Sequence, residues 1–306
     1  TMIKRVGFIG LGAMGLPMAE CIAKSGVSLW GYDINTTPVR ILAENYTNVY
    51  AAETIAEVGQ NCNIVITMLP DAKTVAEICE GETGLFAAME TGSVWIDMTT
   101  GDPFVTERLS ALAELRGIRC MDSPCGRSPK HAKEGDLLLL VGGEKRLLEE
   151  MRPLLDLMAG NIIRCGNLGA GHTMKLINNL LSGVIQEANV EAISLGVRAG
   201  IDISTMLQVF SNVCVWNGYL AALPYEEEGA PGWKVTIAEE HMELVEKLGR
   251  RYRVPIYTPA VVRARMNEMI AEGKGETKYS NITTLMKNMA GIEIKEKITG
   301  PTVREQ

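Results

Sequence analysis

The first half of the chain alternates short, nearly continuous apolar runs with segments of helical spacing. Val6-Gly7-Phe8-Ile9, Leu29-Trp30-Gly31-Tyr32-Asp33, Ile64-Val65-Ile66-Thr67-Met68, Val94-Trp95-Ile96-Asp97-Met98 and Leu137-Leu138-Leu139-Leu140-Val141 read as strands. Apolar on both faces, they suit a sheet covered by helices on either side. A helix over residues 13–24 follows the first run, and the βαβ order implies a mostly parallel, doubly wound sheet. Beyond Gly169-Ala170-Gly171 the pattern changes. Residues 172 to about 199 lack proline and place Met174, Ile177, Leu180, Leu181, Val184 and Ile185 at helical spacing, which predicts one long helix. The remainder reads as helices broken at Ala199-Gly200-Ile201, Pro224, Gly229-Ala230-Pro231-Gly232 and Pro255. The expected fold is an α/β domain at 1–165 followed by an all-α domain at 166–306, joined by that long helix.

Composition narrows the class. The 306 residues carry 30 Lys+Arg against 37 Asp+Glu, a formal net charge of −7, so no nucleic-acid partner is expected. No run of about 18 uncharged apolar residues suggests a membrane span, and the first residues lack the long apolar core and small-residue cleavage site of a signal peptide. Seven cysteines, with no CxxC pair, predict neither a disulfide framework nor a zinc site and point to a reducing cytoplasm.

Gly10-Leu11-Gly12-Ala13-Met14-Gly15 follows a strand and opens a helix. Gly10 permits the tight turn, Gly12 close approach of a pyrophosphate, and Gly15 close packing of helix on strand, while the helix N-terminus offers amides to phosphate. Asp33 ends the next strand, about 20 residues on, where a carboxylate can accept ribose hydroxyls. Together these read as a dinucleotide site of the Rossmann type. A carboxylate at 33 repels a 2′-phosphate, which favours NAD over NADP; Arg40 is the nearby cation that argues the other way. Met68-Leu69-Pro70 and Asp97-Met98-Thr99-Thr100 follow strands of the same sheet, where loops line the cofactor crevice, and Thr99 or Thr100 is a candidate for the nicotinamide ribose.

Two further motifs carry chemistry. Gly126-Arg127-Ser128, in the loop opened by Asp122-Ser123-Pro124-Cys125, combines a guanidinium and a hydroxyl suited to an anion; an exposed surface loop is the plainer reading. In Gly169-x-Gly171-x-x-x-Lys175-Leu-Ile-Asn178-Asn179, Lys175 and Asn179 are one helical turn apart on one face. A lysine beside an amide at the start of a largely apolar helix can donate a proton to a developing alkoxide.

In this order, the motifs resemble the β-hydroxyacid dehydrogenase family, relatives of 3-hydroxyisobutyrate and tartronate-semialdehyde reductases, over residues 3–290. The resemblance implies Lys175 as general acid/base and Asn179 as orienting it or the substrate, with Asn178 in the same motif. It also marks two departures. The family's Ser-Gly-Gly positions read Gly126-Arg127-Ser128, similar to the Gly-Arg-Thr of its sulfolactaldehyde reductase branch. The family's later Lys-Asp-Leu falls on Glu240-His241-Met242, so His241 becomes a hydrogen-bonding or proton-carrying candidate. Trp233 takes a place where the family tends to have Phe, and Trp216 is a second aromatic that can close the pocket. The implied protein is an NAD-dependent oxidoreductase that reduces a small anionic aldehyde or semialdehyde in a cleft between its domains, a homodimer or homotetramer. An imine reductase, whose branch replaces the lysine, and a cofactor-binding relative without catalysis are the alternatives.

Overall fold

The computed structural model describes residues 5–213 and 233–277. Trp216 and the breaks expected at Pro224 and Gly229 to Gly232 lie outside the described residues. Two compact units divide the chain between Lys175 and Leu176.

In the first unit the strands are β1 (Arg5–Ile9), β2 (Ser28–Tyr32), β3 (Val49–Ala51), β4 (Ile64–Thr67), β5 (Val94–Asp97), β6 (Arg119–Asp122), β7 (Cys125–Gly126), β8 (Leu137–Gly142) and β9 (Ala159–Gly166). Between them lie helices α1 (Gly15–Lys24), α2 (Thr36–Asn45), α3 (Ile55–Asn61), α4 (Ala72–Cys79), α5 (Leu85–Ala88), α6 (Pro103–Glu114), α7 (Pro129–Lys133) and α8 (Lys145–Leu155). The sheet order is β3-β2-β1-β4-β5-β6-β8-β7, with β9 on β8. From β3 to β6 every pairing is parallel, whereas β8 runs antiparallel to both β6 and β7. The order reverses between β1 and β4, the switch point at which a doubly wound sheet opens a crevice at its carboxyl edge.

The pleat explains the continuous apolar runs. Phe8, Ile64, Ile66, Val94 and Ile96 face one core with Met18 and Ile22 of α1 and Leu148, Met151 and Leu154 of α8. Ile9, Val65 and Trp95 face the other with Val58, Val75, Phe86 and Leu109 of α3 to α6. Both faces are therefore dry, and each strand must be apolar at successive positions. Helix α1 starts at Gly15, two residues later than the apolar pattern suggested, because Gly12 to Met14 are used in the turn that enters it.

Helix α9 (Ala170–Arg198), 29 residues long, runs from the first unit into the second. The second unit then contains α10 (Ile203–Ser211), α11 (Val235–Tyr252) and α12 (Thr258–Ala271). Gly200, with φ of 86°, makes the expected turn after α9, and Pro255 lies in the link between α11 and α12. Helix α12 is tied to α11 through Arg263, which donates to Glu239 and Glu246, and to α9 through Arg265 and Glu187 at 2.9 Å. Among the described residues no helix is long and apolar enough to cross a membrane.

Candidate active site

The glycine turn has the shape its spacing implies. Gly10 has φ of 98°, and a Cβ there would strike the Met68 carbonyl at the end of β4. A Cβ on Gly15 would strike the Gly10 carbonyl, so α1 leaves the turn at backbone contact distance. Gly12 is different: a Cβ there would meet no protein atom within 4 Å. Its glycine is not needed by the fold, and the space beside it suits a group that must approach the backbone closely. Helix α1 has no side-chain cap hydrogen bond, which suits its N-terminus to an anion. Leu11 is buried beneath the turn, while Gly12 and Ala13 are exposed and Met14 is half-buried. Asp33 lies just past β2 and closes the turn, accepting from the Leu11 amide at 2.6 Å and the Asn35 amide at 2.8 Å. Each carboxylate oxygen keeps a further lone pair for a hydroxyl. Arg40 is exposed and paired with Glu44 at 3.9 Å along α2. These residues fit a dinucleotide.

The loops after β4 and β5 are held by a buried polar network. Thr67 donates to Asp97 at 2.9 Å and accepts from the Trp95 indole at 3.1 Å. Asp97 also accepts the Thr99 amide, and the Thr99 hydroxyl accepts the Leu69 amide, both at 3.1 Å. Thr99 is fully buried, so its hydroxyl shapes the loop. Met68 and Leu69 are half-buried and Pro70 is exposed.

Asp122, at the end of β6, is also fully buried. It accepts the amides of Gly169 and His172 at 2.7 Å each, which anchors the first turn of α9 to the sheet. His172 is likewise buried and meets the Thr106 hydroxyl through Nδ1 at 2.8 Å. Since the Thr106 hydroxyl donates to the Asp102 carbonyl at 3.2 Å, His172 is the donor in that contact. Sequence reasoning assigned no role to Asp122 or His172, because their partners lie far away along the chain. Lys175 follows one turn later, 6% exposed. Burial pushes its ammonium below the ordinary lysine value of 10.5, opposed by the nearby Cys125. Burial in turn raises the Cys125 thiol, with Lys175 pulling it down.

The loop beside Cys125 is exposed at its centre. Arg127 adopts φ of 76°, donates to the Asp136 carbonyl at 2.7 Å and forms an ion pair with the Asp136 carboxylate. Ser128 Oγ lies 2.8 Å from His131 Nδ1, and Gly126 pairs with Leu138 of β8.

In the second unit Asn179 is fully buried and His241 is 3% exposed. Asn179 Nδ2 lies 3.1 Å from His241 Nδ1. Trp233 meets the imidazole edge-on, with ring centroids 6.1 Å apart and planes at 79°. Asn178 is exposed, its Nδ2 3.5 Å from Asn179 Oδ1. His241 therefore lies on the buried face of α11.

A family profile described as the NAD binding domain of 6-phosphogluconate dehydrogenase matches residues 5–166. A second, described as NAD-binding of NADP-dependent 3-hydroxyisobutyrate dehydrogenase, matches residues 169–286. The chain belongs to the β-hydroxyacid dehydrogenase family. It is 29% identical to a 3-sulfolactaldehyde reductase of Escherichia coli, over 96% of this chain and 99% of that one. It is 28% identical to a 2-(hydroxymethyl)glutarate dehydrogenase of Eubacterium barkeri, over 95% and 97%. The structure of Mycobacterium tuberculosis 3-hydroxyisobutyrate dehydrogenase with L-serine superposes with a TM-score of 0.82 at 26% identity, covering 93% of this chain and 99% of that one. The family assignment makes this β-hydroxyacid dehydrogenase homologue an oxidoreductase with a nicotinamide cofactor.

Two outcomes follow from this geometry. Gly12→Ala is expected to keep the thermal midpoint within about 2 °C of wild type while weakening NADH binding about tenfold or more, because the added methyl meets no protein atom. Gly15→Ala should lower both, since its methyl meets the Gly10 carbonyl; fluorescence titration and thermal melts separate the two. Lys175→Met is expected to raise the thermal midpoint at neutral pH. Below its lowered pKa the buried ammonium bears its full desolvation cost; between that value and 10.5 the folded protein releases a proton that the unfolded chain keeps, so the cost fades as pH rises. The gain in Lys175→Met should shrink accordingly in melts taken across that range.

Proposed function

We propose that this protein is an NAD-dependent oxidoreductase that interconverts a small anionic aldehyde or semialdehyde with the corresponding hydroxy acid or hydroxy sulfonate. The observation that carries the reading is Lys175: a buried lysine with a depressed pKa, on a helix anchored at the carboxyl edge of a dinucleotide-binding sheet. A bound nicotinamide would exchange a hydride at its C4 with the carbonyl carbon. Lys175 gives a proton to the carbonyl oxygen in reduction and takes it from the hydroxyl in oxidation. Gly10 to Gly15 and the α1 N-terminus hold the pyrophosphate, Asp33 the adenine-side ribose, and Met68 to Pro70 form the nicotinamide-side wall, braced from beneath by Thr99. The Asp33 carboxylate supports NAD as the cofactor, and the pairing of Arg40 with Glu44 leaves it a poor 2′-phosphate clamp.

Gly126, Arg127 and Ser128 bind the anionic end and orient the substrate, a role we also assign to Asn179 and Asn178, and Trp233 and His241 are further substrate-binding candidates. Arg127 and Asp136 are both partly exposed, so exchanging one carboxylate partner for a substrate anion costs little. A guanidinium and a hydroxyl suit a three-oxygen sulfonate, which agrees with the relative named for 3-sulfolactaldehyde. On this reading residues 1–165 bind the cofactor and 166–306 serve substrate binding and association into a homodimer or homotetramer. Exposed Leu181 and Leu195 on α9 support the latter. Six cysteines without disulfides among the described residues suit a cytoplasmic setting. Lys175 also weighs against an imine reductase, and a non-catalytic relative has no use for a lysine buried at this cost.

The test is NADH oxidation with 3-sulfolactaldehyde, methylmalonate semialdehyde, succinic semialdehyde, tartronate semialdehyde and glyoxylate. Turnover of the sulfonate is expected, falling about 100-fold in kcat/KM in Arg127→Gly through loss of a charge-assisted contact. Turnover of a carboxylate unaffected by Arg127→Gly would assign the loop no part in recognition. Lys175→Ala should abolish turnover with NADH binding intact; undiminished turnover there would overturn the mechanism.

A further inference from the structure

The contact between Asn179 and His241 has a direction. An amide nitrogen only donates, so His241 Nδ1, 3.1 Å away, accepts. A proton on Nδ1 would oppose the amide hydrogens, so the contact fits the Nε2–H tautomer. Both side chains are buried, so neither exchanges this partner for water. Trp233 packs edge-on against the ring and limits its rotation. Ile237, Ala238, Leu244 and Val245 share the His241 face of α11 by helical spacing. Glu239, on the same helix, is engaged by Arg263.

We propose that His241 is a positioning residue that sets the polarity of Asn179. It accepts one of the two amide hydrogens and so fixes the amide plane, leaving Oδ1, 3.5 Å from the Asn178 amide nitrogen, as the acceptor that Asn179 presents to a donor. Oδ1 is then the atom that orients a donor hydroxyl at the reacting carbon, and the second amide hydrogen stays available to the anionic end. This rests on the reading of Asn179 as a residue that orients the substrate.

The chain has three histidines, so uniform 15N-histidine labelling yields three imidazole spin systems, and the one lost in His241→Asn is His241. The expected result is the neutral Nε2–H tautomer at pH 7.5; an Nδ1–H or doubly protonated ring would overturn the proposal. This readout needs no turnover. The kinetic arm compares His241→Asp, which only accepts, with His241→Lys, which only donates, using whichever aldehyde wild type reduces. His241→Asp should keep kcat within about fivefold, while His241→Lys should lose about 50-fold or more in kcat, with NADH affinity unchanged in both. A residue that merely fills space would respond alike to both charged replacements, and equal losses would overturn the assignment. If His241→Lys does not fold, the tautomer decides. A wild-type protein that reduces none of the aldehydes would overturn the proposed activity instead, and the tautomer would still decide the polarity of Asn179.

Discussion

The structure depends on a buried carboxylate at the head of a helix. Asp122 leaves the end of β6 and accepts the amides of Gly169 and His172, two donors that α9 cannot satisfy internally. Those hydrogen bonds satisfy its oxygens in a buried place, and the positive end of the helix faces it. The approach is close: a Cβ on Gly142 would reach Asp122, and one on Gly171 would reach the Leu140 carbonyl. Glycine at both positions lets the first turn of α9 lie against the sheet. Lys175 follows on the next turn, so the Asp122 anchor helps set its place relative to the strand ends.

The same economy governs the rest of the first unit. Asp97 holds Thr67 and Thr99, and Thr99 holds Leu69, so two loops at the carboxyl edge are braced from below by groups that never reach the surface. His172 adds a contact from α9 to Thr106 of α6, and its ring fills the space beside Gly101. Lys175 is buried beside these braces, and burial pushes its ammonium below the ordinary lysine value, a direction of shift that suits a proton-transfer role.

Much of this was legible in the sequence where the signal is local. The strands β1, β2, β4, β5 and β8 are continuous apolar runs, and the glycine turn with Asp33 is a short-range pattern with one physical explanation. What escaped was short, exposed or distant. β3 has three residues, β7 two, and β6 begins with an exposed Arg119. β9 is half-exposed, with Arg164 inside it, so its apolar signal is weak. As site candidates, Lys175 and Asn179 came from helical spacing and family resemblance. The Asn179–His241 contact was not, because 62 residues separate the partners. Arg127 was readable as a loop cation, but its engagement with Asp136 depends on a positive φ at Arg127 that no pattern announces.

The most direct test of this account is Asp122→Asn, which keeps the shape but removes the charge and one acceptor. With NADH affinity and kcat measured on the same preparation, the account predicts unchanged cofactor binding and a fall in kcat of about 100-fold, because a small displacement of Lys175 is enough to spoil proton transfer. A variant that melts earlier yet turns over at the wild-type rate, with the same pH dependence, would show that Asp122 only stabilises the fold and that Lys175 is positioned by something else.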